Sequence, residues 1–195
     1  HARVNRLAAQ WMREIGMIAH QDAAGNQVGR IAPADGAPDA PALLLGSHLD
    51  TVLDAGRFDG IAGVLMALEV ARLLRTPGGG LARTELPFAL NVIAFSDEEG
   101  TRFGKALLGS AAAAGAWREQ WWELTDQNGV TLREAYLDFG LDPARVGEAA
   151  YRAGDLVGYL EAHIEQGPEL DERGEALAVV SSIASAKRFQ ITVEG

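Results

Sequence analysis

Three short apolar runs along the chain are each followed by histidine or acidic residues. The runs occupy residues 42–45, 90–95 and 156–162. Their length and apolar character indicate the buried, central strands of a β-sheet. The polar groups that follow them are His48, the acidic triplet at 97–99 and His163. Open α/β sheets form their ligand sites at the carboxyl ends of their strands, so we expect these groups to meet at one edge of the sheet.

Helical periodicity marks two longer segments. Residues 2–19 predict an amphipathic helix that ends near Gly16, and residues 61–74 predict a buried helix ended by Pro77 and the glycines at 78–80. That glycine run predicts a surface loop. Alternation of strands and helices favours an α/β fold, a layered sheet with helices on both faces.

The remaining segments carry weaker signals. Residues 27–31 predict a short strand, and residues 105–150, in which aromatic positions alternate with charges, predict several short helices that cover the sheet. A helix is expected over 164–172. Strands are expected at 176–183 and 188–193.

The composition of the chain argues against several classes of partner and site. At 195 residues, 48% of them hydrophobic, the chain is long enough to bury a substantial core. Seventeen basic against 27 acidic residues leave a net charge of −10, which argues against a nucleic-acid or anionic-membrane partner. The absence of cysteine excludes thiolate ligands and is compatible with a cytoplasmic location. No apolar run reaches the length of a membrane-spanning helix.

The polar groups at the strand ends are typical metal ligands, since imidazole nitrogens and carboxylate oxygens commonly bind catalytic zinc. His48 alone would more often be a structural histidine. The metal interpretation is favoured because His48 is accompanied at the predicted strand ends by other potential ligands: Asp50, Asp59, Glu98, Glu99 and His163. Consecutive acids at the end of a buried strand repel one another unless a cation neutralises them. Because adjacent side chains point different ways, one glutamate can bind a metal while its neighbour reaches a water molecule. We therefore predict a metal site.

Other common sites match poorly. Residues 100–105 (GTRFGK) look like a phosphate loop, but the glycine spacing is one residue short and Ala106 stands where Ser or Thr would bind magnesium. The segment Gly46-Ser47-His48 lacks the pattern of a nucleophile elbow. No His-Glu-x-x-His motif is present.

Four segments together resemble one known family. They are GSHLDT at 46–51, FDG at 58–60, DEEG at 97–100 and HIEQGP at 163–168. In this combination the chain resembles the zinc-dependent amidohydrolases of the M20 peptidase family. Within it, the resemblance is to the ureido-cleaving branch: allantoate amidohydrolase, N-carbamoyl-L-amino-acid hydrolase and β-ureidopropionase. The segment EAHIEQGP at 161–168 is the most specific, because many M20 peptidases use a carboxylate where this branch uses His163.

The resemblance implies a site with two divalent metal ions, zinc in the first place and manganese as an alternative. One ion would be bound by His48, Asp59 and His163, with Asp59 bridging to a second ion held by Glu99. The other implied roles are general base for Glu98, orientation of His48 for Asp50, and substrate contact for Gln166.

The function that the resemblance implies is hydrolysis of a small linear ureido amide, with release of ammonia and carbon dioxide. Allantoate is favoured by the appearance of residues 107–115 and 133–147, and N-carbamoyl-L-amino acids and β-ureidopropionate are the alternative substrates. A non-catalytic remnant of the fold is the alternative from another class. The family also implies a cytoplasmic homodimer.

Both ends of the chain lie inside predicted elements. Residues 1–4 open within a helical pattern without a start signal, and residues 191–195 stop within a strand-like run. In the family, the second metal takes a further histidine from a later segment, and an inserted dimerisation domain follows. We therefore expect residues 1–195 to be the N-terminal part of a catalytic domain that holds at most one metal firmly by itself.

Overall fold

The computed structural model describes residues 1–33, 35–75, 86–183 and 191–194. The chain forms two compact units, His1–Ile164 and Glu165–Gly195. The first unit contains a five-stranded sheet with its helices. In the second unit, the described residues form the short helix Glu169–Arg173.

The sheet is mixed and has the strand order β1-β2-β4-β3-β5. Its strands are β1 Ile18–Gln21, β2 Gln27–Ile31, β3 Ala42–His48, β4 Ala89–Phe95 and β5 Leu156–Leu160. Strand β3 is parallel to both β4 and β5, whereas β1 and β2 form an antiparallel hairpin beside β4. The carboxyl ends of β3, β4 and β5 therefore lie along one edge.

The strands β3 and β4 form the core of the sheet. All seven residues of β4 are buried, as are six of the seven in β3. The prediction of a third central strand at 156–162 is wrong in position, because β5 lies at the edge of the described sheet. Its side chains at Val157, Tyr159 and Leu160 are between 42% and 60% exposed.

Helices cover both faces of the sheet, which confirms the predicted α/β layering. Helices α1 (Ala2–Glu14) and α2 (Ile61–Arg75) pack on one face, against side chains that include Leu45 and Val92. Helix α3 (Leu108–Ala113) packs on the other face, where Ala113 joins Leu44, Ile93 and Phe95. Successive residues of a strand point to opposite faces, so each central strand supplies both layers.

The prediction of several short helices over 105–150 is confirmed, although the helices after α3 form an apolar cluster separate from the one in which α3 packs on the sheet. After α3 follow the 3₁₀ helix Glu119–Glu123, helix α4 (Leu132–Asp138) and the 3₁₀ helix Pro143–Ala149. They enclose a separate apolar cluster around Trp122 and Tyr136. A reciprocal capping box between Thr131 and Glu134 starts α4.

Three sequence predictions of secondary structure are wrong in part or in full. The helix predicted over 2–19 is confirmed and ends near Gly16 as expected, since Gly16 adopts a φ of +80° and Glu14 is the last helical residue. The end of the predicted range is wrong, because residues 18–21 pair with β2 as strand β1. Residues 176–183 form no strand, and no partner strand accompanies them in the described part of the chain. The helix predicted over 164–172 begins only at Glu169, where the Glu165 carboxylate accepts hydrogen bonds from the first backbone N–H groups.

The glycine loop at 78–80 and residues 188–190 of the last predicted strand lie outside the described residues. The remainder of that prediction, 191–193, is not a strand. Among the described helices, none combines the length and the apolar character required to cross a bilayer.

Candidate metal centre

Strand register explains why two histidines that are distant in sequence come together. His48 ends β3 opposite Phe95 of β4. On the other side of β3, Leu45 pairs with Leu160 of β5. Continuing that register by three residues sets His163 opposite His48. The two imidazole rings are stacked, with centroids 5.6 Å apart.

Three ligand atoms converge where these strands end. His48 Nε2 lies 3.4 Å from His163 Nε2, and His163 Nε2 lies 3.2 Å from Asp59 Oδ1. The third separation, between His48 Nε2 and Asp59 Oδ1, is 3.9 Å. His48 and Asp59 are 2% and 5% exposed, whereas the side chain of His163, beyond the edge strand, is 29% exposed. The cluster is therefore buried at His48 and Asp59 and accessible to solvent at His163.

The acidic turn after β4 adds two carboxylates to the same histidine. Glu98 Oε2 lies 3.8 Å from His48 Nε2. His48, Glu98 and Glu99 each place a ligand atom within 4.8 Å of the others, as His48, Asp59 and His163 also do. Within the described residues, the buried oxygen Glu99 Oε1 has no hydrogen-bond partner. A buried carboxylate oxygen without a donor is stabilised if it faces a cation.

Backbone carbonyls determine which nitrogen of each histidine faces the cluster. His48 Nδ1 lies 2.9 Å from the carbonyl oxygen of Asp50, and His163 Nδ1 lies 2.8 Å from that of Ile164. Because a carbonyl can only accept, each Nδ1 carries the proton in these hydrogen bonds, and in the neutral ring Nε2 then presents a lone pair. Two such nitrogens beside a carboxylate form a donor set that fits a divalent transition metal.

Asp50 connects the ends of β3 and β4. Its Oδ2 accepts a hydrogen bond from the backbone N–H of Glu99 at 2.9 Å, and its Oδ1 lies 3.6 Å from His48 Nδ1. The same residue therefore contacts the histidine on one strand and the acidic turn on the other.

The electrostatics of the cluster favour a bound cation. Burial lowers the pKa of His48, but hydrogen bonds to Asp50 and the charges of Glu98 and Asp50 outweigh it and raise this pKa to about 9. Burial raises the pKa of Glu98, as do the charges of Glu99 and Asp50, while His48 opposes the shift. Burial and the charge of Asp50 raise the pKa of Asp97 to about 6, against the effect of Arg102. A metal that binds His48 must displace its extra proton, so metal binding is expected to release protons near neutral pH.

The structure brings together six of the seven residues singled out in the sequence: His48, Asp50, Asp59, Glu98, Glu99 and His163. The seventh, Gln166, belongs to the second unit and has a left-handed backbone with a φ of +57°. Its substrate contact stays a prediction, as do the individual roles of the other six.

Sequence reasoning missed the contribution of Gly60, which follows Asp59. A Cβ at this position would lie closer than 3.0 Å to the imidazole ring of His48, a distance that real Cβ atoms essentially never show. The motif contains Gly60, but only the tertiary contact reveals why a side chain cannot stand there.

Gly60→Ala is expected to weaken metal binding roughly 10- to 100-fold, the usual effect of disturbing a group that orients a metal ligand. Calorimetric zinc titration measures this. Gly115→Ala is the matched control: Gly115 has a φ of +67° against +66° for Gly60, but its Cβ would meet only Ala150, at an ordinary 3.6 Å. Equal zinc affinity in the two variants would show that the contact with His48 is unimportant.

Comparison with known proteins finds a family model and curated relatives that match the chain. Residues 17–133 match the model of peptidase family M28. The chain is 41% identical over 193 residues to the N-carbamoyl-L-amino acid amidohydrolase of Geobacillus stearothermophilus, covering 99% of this chain and 46% of the relative. It is 40% identical over 191 residues to the allantoate deiminase of Arabidopsis thaliana, covering 97% of this chain and 35% of the relative.

A solved structure shares the fold. The hydantoinase/carbamoylase family amidase of Burkholderia ambifaria superposes with a TM-score of 0.75 at 39% identity, over 89% of this chain and 40% of that one. The chain thus spans less than half the length of these relatives. The matching model carries the M28 designation, whereas the sequence resemblance was to the M20 peptidases. The relatives confirm the ureido-cleaving branch that the resemblance named. The chain therefore belongs to peptidase family M28.

Proposed function

We propose that the protein carrying this chain hydrolyses a linear ureido amide, with allantoate as its substrate. The observation that supports this most directly is the convergence of His48, Asp59 and His163, with Glu98 Oε2 3.8 Å from the same His48 nitrogen. Metal-assisted hydrolysis requires at least a set of metal ligands and, beside it, a further carboxylate that is free to act as a base.

His48, Asp59 and His163 are proposed to hold one metal ion, and Asp59 and Glu99 to share in holding a second. Mixed nitrogen and oxygen donors suit zinc, and the carboxylate-rich side of the cluster also suits manganese. When bound, such ions supply a Lewis acid that polarises the carbonyl group of the substrate and lowers the pKa of water toward ~7. Amidohydrolases of the M20 and M28 families are metal-dependent.

Glu98 is proposed as the general base. Its side chain is 31% exposed, against 6% for Asp59, so water and substrate can reach Glu98 more easily than Asp59. Glu98 takes a proton from water as the water oxygen attacks the ureido carbonyl carbon. It then gives that proton to the departing nitrogen as the C–N bond breaks. The products include ammonia and, after breakdown of the carbamate, carbon dioxide.

Two further roles complete the proposal. Asp50 orients His48, since its backbone oxygen holds Nδ1 and its carboxylate holds the backbone of Glu99. Gln166 is proposed to contact the substrate, on the family resemblance of HIEQGP. Assembly as a homodimer and a cytoplasmic location rest on the same resemblance, as does a place in purine catabolism if allantoate is the substrate.

Ammonia release by the complete protein tests the reaction and its substrate together. Allantoate, N-carbamoyl-L-amino acids and β-ureidopropionate are compared at equal concentrations, and kcat/KM is expected to be highest for allantoate. A higher value for an N-carbamoyl-L-amino acid would move the substrate to that class, which the 41% identical relative represents. No ammonia from any of the three, with metal bound, would favour a non-catalytic remnant.

Chelation of the metal is expected to abolish turnover and to lower the thermal stability of the protein. A metal present at a hundredfold its dissociation constant stabilises the folded state by about 2.7 kcal/mol. Scanning calorimetry before and after chelation measures the shift in Tm, and reloading with zinc or manganese shows which ion restores turnover. An unchanged Tm and an unchanged rate after complete metal removal would contradict the metal site.

A further inference from the structure

The acidic turn that carries Glu98 and Glu99 has an unfavourable backbone. Asp97 has a φ of +51°, a left-handed conformation that a residue with a Cβ rarely adopts, and Gly100 has a φ of +64°. Such a conformation persists only where surrounding contacts stabilise it. The positions of both glutamates therefore depend on groups outside the turn.

Backbone hydrogen bonds hold the turn from one side. Three consecutive carbonyl oxygens accept from the residues at the start of α3: Ser96 from Gly109 at 2.9 Å, Asp97 from Leu108 at 3.2 Å and Glu98 from Leu107 at 2.8 Å. A Cβ at Gly109 would come closer than 3.0 Å to Ser96, so these two segments approach as nearly as backbones can.

One buried side chain joins the two segments. Asn26, fully buried at 0% exposure, lies in the turn between β1 and β2. Its Oδ1 accepts from the backbone N–H of Ser96 at 2.9 Å, and its Nδ2 donates to the carbonyl oxygen of Gly109 at 3.1 Å. Asp22 holds the amide in place, because its Oδ2 accepts from the same Nδ2 at 2.9 Å. Asn26 thus uses both ends of its amide to connect the strand end before the turn with the helix after it.

We propose that Asn26 is a positioning residue for Glu98 and Glu99. It acts through the backbone of Ser96 and Gly109 and contacts neither carboxylate. What the two glutamates do follows from the proposed function; that Asn26 places them follows from the hydrogen bonds alone. Loss of its amide removes the only side-chain link that the described residues show to the Ser96 N–H, so the turn can relax.

Asn26→Ala is compared with Asn91→Ala in the complete protein. Asn91, in β4 and 5% exposed, is a buried asparagine of the same sheet whose hydrogen bonds go to Arg30 and Tyr151. Both changes are expected to lower Tm. Only Asn26→Ala is expected to accelerate amide hydrogen exchange at Glu99 and 107–109, at least tenfold, and to weaken zinc binding about 10- to 100-fold. Exchange and zinc affinity equal to those of Asn91→Ala would overturn the proposal.

Asn26→Asp provides a second, isosteric variant if the alanine variant folds poorly. It keeps an oxygen acceptor for the Ser96 N–H but places a carboxylate beside Asp22 and the Gly109 carbonyl oxygen. Asn26→Asp is therefore expected to be the less stable variant and yet to keep slower exchange at Glu99 and tighter zinc binding than Asn26→Ala. A purely structural role predicts that zinc affinity follows stability instead, and that result would overturn the proposal.

Ammonia release by the wild-type protein distinguishes a failure of the proposed function from a failure of the inference about Asn26. If the wild-type protein hydrolyses no ureido substrate, the proposed reaction is wrong. Amide exchange at Glu99 and 107–109 would still decide whether Asn26 holds the turn, because that measurement requires neither substrate nor metal.

Discussion

Glu98→Gln is expected to lower kcat by roughly 10²- to 10⁴-fold, the usual contribution of a general base, while the variant keeps its metal and its fold. The amide is nearly isosteric with the carboxylate, so the contacts of the turn survive. It cannot, however, take a proton from water at neutral pH. Steady-state ammonia release measures the effect, and metal analysis of the same sample shows that the ions remain.

Glu99→Gln is the matched control for the preceding change. The two glutamates are adjacent in the same turn, yet Glu99 is proposed as a ligand, and its buried Oε1 has no hydrogen-bond partner among the described residues. Glu99→Gln is therefore expected to lose metal, and its rate should recover partly with excess zinc. If Glu98→Gln loses metal and Glu99→Gln keeps it, the two roles are reversed. Near wild-type turnover in Glu98→Gln would show that Glu98 is not the general base.

Asp59→Ala is expected to empty the whole centre, because a bridging ligand serves both ions. Its carboxylate is 6% exposed and lies within 4 Å of both His48 Nε2 and His163 Nε2. No other carboxylate joins both histidines in the clusters that the described residues form. In the complete protein, metal content should fall from two ions per chain to none, and turnover to below detection.

Asp126→Ala controls for the removal of a buried carboxylate as such. The side chain of Asp126 is 4% exposed and pairs with Arg102. This variant is expected to lose stability but to keep both metals and its turnover. Two ions per chain in Asp59→Ala would contradict the bridging role, and one ion would restrict Asp59 to a single metal.

The central elements of the fold could be predicted because burial leaves a clear pattern in the sequence. Strand β4 is buried along its whole length, so its sequence is apolar at every position except Asn91, and α2 buries a stripe of residues with helical spacing. Strand β1 could not be predicted in the same way. Its residues are mostly exposed, with Ile18 at 74%, and its pairing with β2 outweighs the helical pattern that continues past Gly16.

The sequence by itself determined that a metal site is expected at the strand ends, since the residues that follow the apolar runs are histidines and carboxylates, which are common metal ligands. Only the tertiary structure decided how they meet. The register between β3 and β5 brings His163 to His48, and Gly60 leaves the space that the imidazole ring occupies. Asn26 reaches the acidic turn across 70 residues of sequence. These contacts arise from chain pairing and close packing, which no local pattern of residues encodes.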